Sequence, residues 1–142
     1  QLEKTREVME TLGLDALADR AFDTLSTGQQ RRCLLGRALV HDPDTLIFDE
    51  PTSGLDLAAG FDYLDRVRDL ARRGKSLVIV THHLGEIPPE IERVIILKSG
   101  TVHADGEKSS VLTAEALSEV YGVSLRVTEI EGHFLVYPAD QT

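Results

Sequence analysis

The stretch Leu46-Ile47-Phe48-Asp49-Glu50-Pro51-Thr52-Ser53-Gly54-Leu55-Asp56 decides how this 142-residue chain is organised. An apolar run of strand length, opened by Thr45, ends in two adjacent carboxylates, and a turn-forming segment then delivers a third acid at Asp56. Such a run is expected of a parallel strand covered on both faces. Working outward, Leu57 to Arg73 sets Phe61, Leu64, Val67, Leu70 and Ala71 at helical spacing, with Arg72 and Arg73 in the last turn and Gly74 beyond them. Cations and a glycine suit a helix C-terminus. Ser76 to Val80 (SLVIV) is a second buried strand, rich in β-branched residues. Strand, helix, strand with short links is a right-handed parallel crossover unit. Its functional end lies at the carboxyl ends of the strands, where Asp49, Glu50 and His82 all fall.

Upstream, Leu2, Val8, Met9 and Leu12 form a periodic face that Gly13 ends. Gln1 is already inside this pattern and no initiator Met precedes it, so the chain reads as truncated or processed. A short helical piece spans Leu14 to Arg20, and a further helix runs from the DTLSTGQQRR segment to about Val40, stopped by Pro43. Downstream of His83, LGEIPPEIER is an irregular or helical link and RVIILK a third strand, which Ser99-Gly100 turns into the hairpin partner TVHADG. Thr113 to Tyr121 is a short amphipathic helix ended by Gly122. Glu131-Gly132 then joins SLRVTEI to HFLVYP in a terminal hairpin. The expected segments are residues 1–40, 41–106 and 107–142 of an α/β half-domain with an antiparallel tail.

Composition narrows the function. A formal charge of -9 and a pI near 4.9 argue against general affinity for nucleic acid or anionic lipid, which needs a basic face. The single cysteine, Cys33, cannot form an internal disulfide and sits in a helical apolar pattern, which reads as a core position in a reduced, intracellular setting. No apolar run approaches the roughly 18 residues of a membrane span, and the amino end has no signal-peptide pattern. The chain is expected to be soluble, with docking on a membrane protein left open.

Three polar sites each admit two readings. Asp49 and Glu50 are either a strand that ends in solvated acids or a Mg²⁺-dependent pair, in which one acid holds the cation and its neighbour activates water. Ser26, followed three residues later by Gln29, is a capping box that needs only a helix start. The same backbone N–H groups, with a hydroxyl and a near-bare Gly28, would also suit an anion. Thr81-His82-His83 is either an ordinary polar strand terminus or a donor to a phosphate oxygen. A His-His metal pair is disfavoured, since adjacent strand residues face apart.

Together, in this order and spacing, LSTGQ, a helix, LIFDEP, SGLD, a helix and a strand ending VTH resemble the nucleotide-binding domain of ABC ATPases, over nearly the whole chain to about Asp105. The resemblance implies a partial P-loop NTPase (RecA-like) core with a mainly parallel sheet, a remnant of the helical subdomain, and ATP and Mg²⁺ as cofactors. Leu25 to Gln29 looks like the signature motif, so Ser26, Thr27, Gly28 and Gln29 would contact ATP held by the opposite subunit. Leu46 to Glu50 looks like the Walker B strand, with Asp49 on the Mg²⁺ side and Glu50 as the general base. Ser53 to Asp56 resembles the D-loop, and His82 the switch histidine that senses the γ-phosphate. His83 would be a bystander.

Two departures stand out. Thr27 occupies a position where the signature usually carries a second glycine. Nothing fits G-x-x-x-x-G-K-[ST], the loop that cradles the phosphates. Gly74-Lys75-Ser76 fails that pattern, because Asp69 stands where the first glycine belongs and the tripeptide leaves a helix to enter a strand. The chain therefore looks like the carboxyl-terminal part of a longer ATPase, expected to be inactive alone and prone to self-association through uncovered apolar surface. The resemblance further implies a second ATPase subunit, transmembrane permease partners, no nucleic acid, and a cytoplasmic place on the inner face of the cell membrane. Two alternatives stay open: an ABC ATPase acting on ribosomes or DNA, and an inert interaction module.

Overall fold

In the computed structural model the described residues are 2–139, so the expectations for Gln1 and for residues 140–142 lie outside them. The element order is α1 (Leu2–Leu12), α2 (Thr27–Leu39), β1 (Thr45–Asp49), α3 (Leu57–Arg72), β2 (Ser76–Val80), β3 (Arg93–Lys98), β4 (Thr101–Glu107), α4 (Lys108–Val111), α5 (Ala114–Tyr121), β5 (Leu125–Ile130) and β6 (His133–Pro138). Short 3₁₀ turns at Asp15–Leu17, Phe22–Thr24 and Leu84–Glu86 link them. The chain divides into two compact units, Gln1–Val80 and Thr81–Thr142.

In the first unit β1 and β2 pair in parallel and in register, Thr45 opposite Ser76 and Asp49 opposite Val80. Side chains alternate across a strand. Leu46 and Phe48 therefore turn to one face, where the buried cluster of Val8, Leu12, Leu14, Leu35, Tyr63 and Val67 packs with them, Leu77 and Ile79 joining it. The rings of Phe48 and Tyr63 meet edge to face, centroids 6.4 Å apart. This corrects the expectation of strands buried on both faces. Ile47 is 72% exposed, and Val78 and Val80 are exposed on the same side of the pair. A continuous apolar run does not report which of its two faces is covered.

The face of α3 also differs from its expected composition. Tyr63 and Val67, one turn apart, are buried with Gly60, whereas Phe61 is exposed. Periodicity permits either stripe, and the structure buries the amphipathic tyrosine while the phenylalanine faces outward. Burial pushes the Tyr63 hydroxyl pKa above the ordinary tyrosine value.

The second unit is built on two antiparallel hairpins, β3–β4 and β5–β6. Both expected turns form. Ser99 and Gly100 have φ of 50° and 78°, and Glu131 and Gly132 have φ of 52° and 80°, the paired positive values that a tight two-residue turn requires. Gly122, at φ 70°, ends α5, whose N-cap Thr113 accepts from the Ala116 N–H. Ile96, Val111, Leu112, Leu117 and Phe134 form this unit's own core. The four-residue α4 carries no periodic signal in the sequence. Its Lys108 is buried, and the ammonium donates to the carbonyls of Pro88, Pro89 and Gly132.

The raised Tyr63 pKa has a definite sign. Below about pH 10 both folded and unfolded states hold the proton, and above it the unfolded state loses the proton first. Stability is thus fully present below that pH and falls as pH rises through the folded-state value. Urea midpoints measured between about pH 8 and 11 should fall more steeply for the parent chain than for Tyr63→Phe. Parallel curves would show that Tyr63 is not the group responsible.

Candidate functional site

β1 ends where the chain turns sharply. Asp49 continues the outward face of the strand and is exposed, while Glu50 is half-buried, so the two acids are not both taken out of water. Glu50 adopts φ 46°, a left-handed conformation uncommon for a residue with a side chain. Its N–H still donates to the Val80 carbonyl at 2.8 Å, extending the parallel ladder by one bond. Its carbonyl accepts from Ser53 N–H at 3.1 Å, closing a turn over the fully buried Pro51. Residues held in sparsely populated backbone regions cluster at functional sites. The strain here falls on the acid that the sequence singles out.

The segment 53–56 runs from this turn to α3. Gly54 has φ 76°, and Asp56 caps α3 by accepting the Ala59 N–H at 2.9 Å. The start of α2 lies against it. Both halves of the expected capping box form, Ser26 Oγ accepting from Gln29 N–H and Gln29 Oε1 accepting from Ser26 N–H. The side of Gly28 that a Cβ would occupy faces Ala59 Cβ at 3.4 Å. Its lack of a side chain is thus already used in helix packing. A Cβ on Gly54 would meet Thr27 Cγ2 at 3.9 Å, and Arg31 Nη2 donates to the Ser53 carbonyl at 3.3 Å. The structure therefore brings Ser26 to Gln29 together with Ser53 to Asp56. Arg31 was missed at the sequence level, where it reads as one cation in a helix.

His82 and His83 belong to the second unit. Both are exposed, and their rings meet at a tilt of 42° with centroids 3.9 Å apart. The turn that presents them is fixed by Thr81, whose Oγ1 accepts from His83 N–H at 3.0 Å and donates to the carboxyl of the buried Glu86. Glu86 too was missed, because nothing in an irregular proline-containing link marks it. As donors, the hard oxygens of Asp49 suit Mg²⁺. The exposed Asp49 carboxylate leaves that chemistry accessible at the strand end.

Comparison with known proteins decides the family. The ABC transporter family profile matches residues 1–53. The ABC transporter ATP-binding protein YlmA of Bacillus subtilis (strain 168) is 39% identical over 127 residues, covering 88% of this chain and 48% of the relative. The hemin import ATP-binding protein HmuV of Nocardia farcinica is 43% identical over 124 residues, covering 86% of this chain and 43% of the relative. An ABC transporter in an inward-facing conformation superposes with a TM-score of 0.82 at 27% identity, over 95% of this chain and 55% of that one. This chain belongs to the ABC transporter ATP-binding proteins. It spans about half the length of the curated ABC relatives it matches. The P-loop NTPase fold expected from the motifs is the fold of its structural neighbours. Among the described residues, no helix is long and apolar enough to cross a membrane.

The Asp56 cap gives this ABC chain a structural test. Asp56→Ala should lower the unfolding free energy by about 1 kcal/mol, and Asp56→Ser should recover most of it. Equal urea midpoints for Asp56→Ala and the parent would show that the cap contributes nothing.

Proposed function

We propose that this chain carries the hydrolytic and signature elements of an ATP-hydrolysing motor subunit of an ABC transporter, and that the groups cradling the phosphates lie outside these 142 residues. The observation that carries the reading is the strained Glu50, next to Asp49 at the end of a strand paired in register with β2. In this reading Asp49 would hold Mg²⁺, which when bound offsets charge on the phosphates. Glu50 orients the attacking water and takes its proton. A half-buried carboxylate beside an exposed one separates these two tasks between neighbours. His82 donates to the γ-phosphate, with His83 beside it.

Ser26, Thr27, Gly28 and Gln29 serve the nucleotide of a second ATPase subunit, with the backbone N–H groups of Thr27 and Gly28 at the start of α2 facing the anion. Asp56 and the 53–56 segment link that motif to the strand end. The contacts of Gly28 with Ala59 and of Arg31 with Ser53 support such a link within one chain. Alone, the chain is inactive and self-associates through exposed apolar residues such as Ile47, Leu57 and Phe61. The complete subunit is cytoplasmic, peripheral on the inner face of the membrane, and partnered by transmembrane permease subunits.

Replacing Glu50 with Gln in the complete ATPase should leave Mg-ATP binding intact and lower turnover at least about 10²-fold, the scale of losing a positioned base. Turnover at the parent rate would remove Glu50 from that role.

A further inference from the structure

The element that sets the direction of His82 is itself built from a buried acid. The 3₁₀ turn Leu84–Glu86 closes with Glu86 N–H donating to the His83 carbonyl at 3.0 Å and Ile87 N–H to the Leu84 carbonyl at 3.1 Å. It folds the chain back, so that the carboxyl of Glu86, five residues on, receives the hydroxyl proton of Thr81. Glu86 is 5% exposed, and an acid is not buried without polar partners except at a cost of kilocalories. The hydroxyl has a single proton, and with that proton committed to Glu86 its lone pairs are turned toward the backbone, where His83 N–H donates at 3.0 Å. The Thr81 side chain thus ties the residues on both sides of His82 into one turn.

We propose that Glu86 is a positioning residue for the switch histidine: acting through the Thr81 hydroxyl, it holds the 81–83 turn so that the exposed His82 imidazole is presented to the γ-phosphate. The proposal rests on the assignment of His82 given above. Its chemistry makes a specific demand. The acceptor at position 86 and the hydroxyl at position 81 are both required, whereas formal charge at 86 is not. Loss of either partner frees the turn and misplaces the imidazole while leaving Asp49, Glu50 and the start of α2 unaltered.

Six variants of the complete ATPase test this, with Mg-ATP as substrate. Thr81→Val keeps the volume but removes the hydroxyl, and Glu86→Met removes the acceptor. Each should lower kcat on the order of 10-fold or more with KM within about twofold, as expected of a reacting group held out of position. Thr81→Ser and Glu86→Gln retain the hydroxyl and an acceptor, and should restore kcat. The double variant Thr81→Val with Glu86→Met should cost no more than either single change, since both break one interaction. His82→Ala is measured alongside. If it abolishes turnover while Thr81→Val and Glu86→Met turn over normally, or if the conservative variants fail as badly as the disruptive ones, the positioning role falls and the switch assignment stands. If His82→Ala turns over at the parent rate, the switch assignment falls and takes the positioning role with it.

Discussion

The parallel pairing of β1 with β2 is the constraint on which the first unit depends. Register places Asp49 opposite Val80, and the Glu50 N–H adds one further bond to the Val80 carbonyl. Because that bond is kept while the chain must turn over Pro51, Glu50 is forced to a positive φ. The conformation has a cost of about 1–3 kcal/mol that the surrounding ladder and turn must offset. Everything downstream follows from the exit direction this imposes: the buried Pro51, the left-handed Gly54, and the Asp56 cap that starts α3 against the first turn of α2.

That geometry reconciles two readings of the same residues. A capping box at Ser26 and Gln29, a helix N-cap at Asp56 and a glycine at the contact between helices are sufficient structural reasons for residues that the sequence resemblance assigns to a signature motif and a D-loop. Structural and functional demands coincide here because free backbone N–H groups at a helix start need a partner whether or not an anion arrives. Glu50 is different in kind. A glycine would adopt φ 46° at lower cost, so an acid at this point is not explained by the backbone.

Much of this was legible in the sequence, for identifiable reasons. Ser99-Gly100 and Glu131-Gly132 marked both hairpins, because two-residue turns demand positive φ and few residue pairs supply it. Gly122 marked the end of α5 in the same way. Less legible was anything decided by what lies opposite. The run Leu46-Ile47-Phe48 has no alternation in its residue types, so the exposure of Ile47 depends on a face that only packing defines. Tyr63 displaced Phe61 from the core of α3 for the same reason. Arg31, Thr81 and Glu86 act through hydrogen bonds between segments, and such bonds have no period to detect.

What these residues lack, in the order they occur, is a loop to hold the phosphates. The carboxylates proposed to serve Mg-ATP lie in a chain whose ABC relatives are about twice as long. The most direct measurement is a calorimetric titration of this chain with Mg-ATP from micromolar to millimolar nucleotide. The expected result is no saturable heat, because in the proposed division of labour Asp49, Glu50 and His82 act on a nucleotide held by groups other than themselves. Saturable binding near one site per chain would mean that residues within these 142 hold the phosphates, and the division of labour proposed for Asp49 and Glu50 would then be wrong.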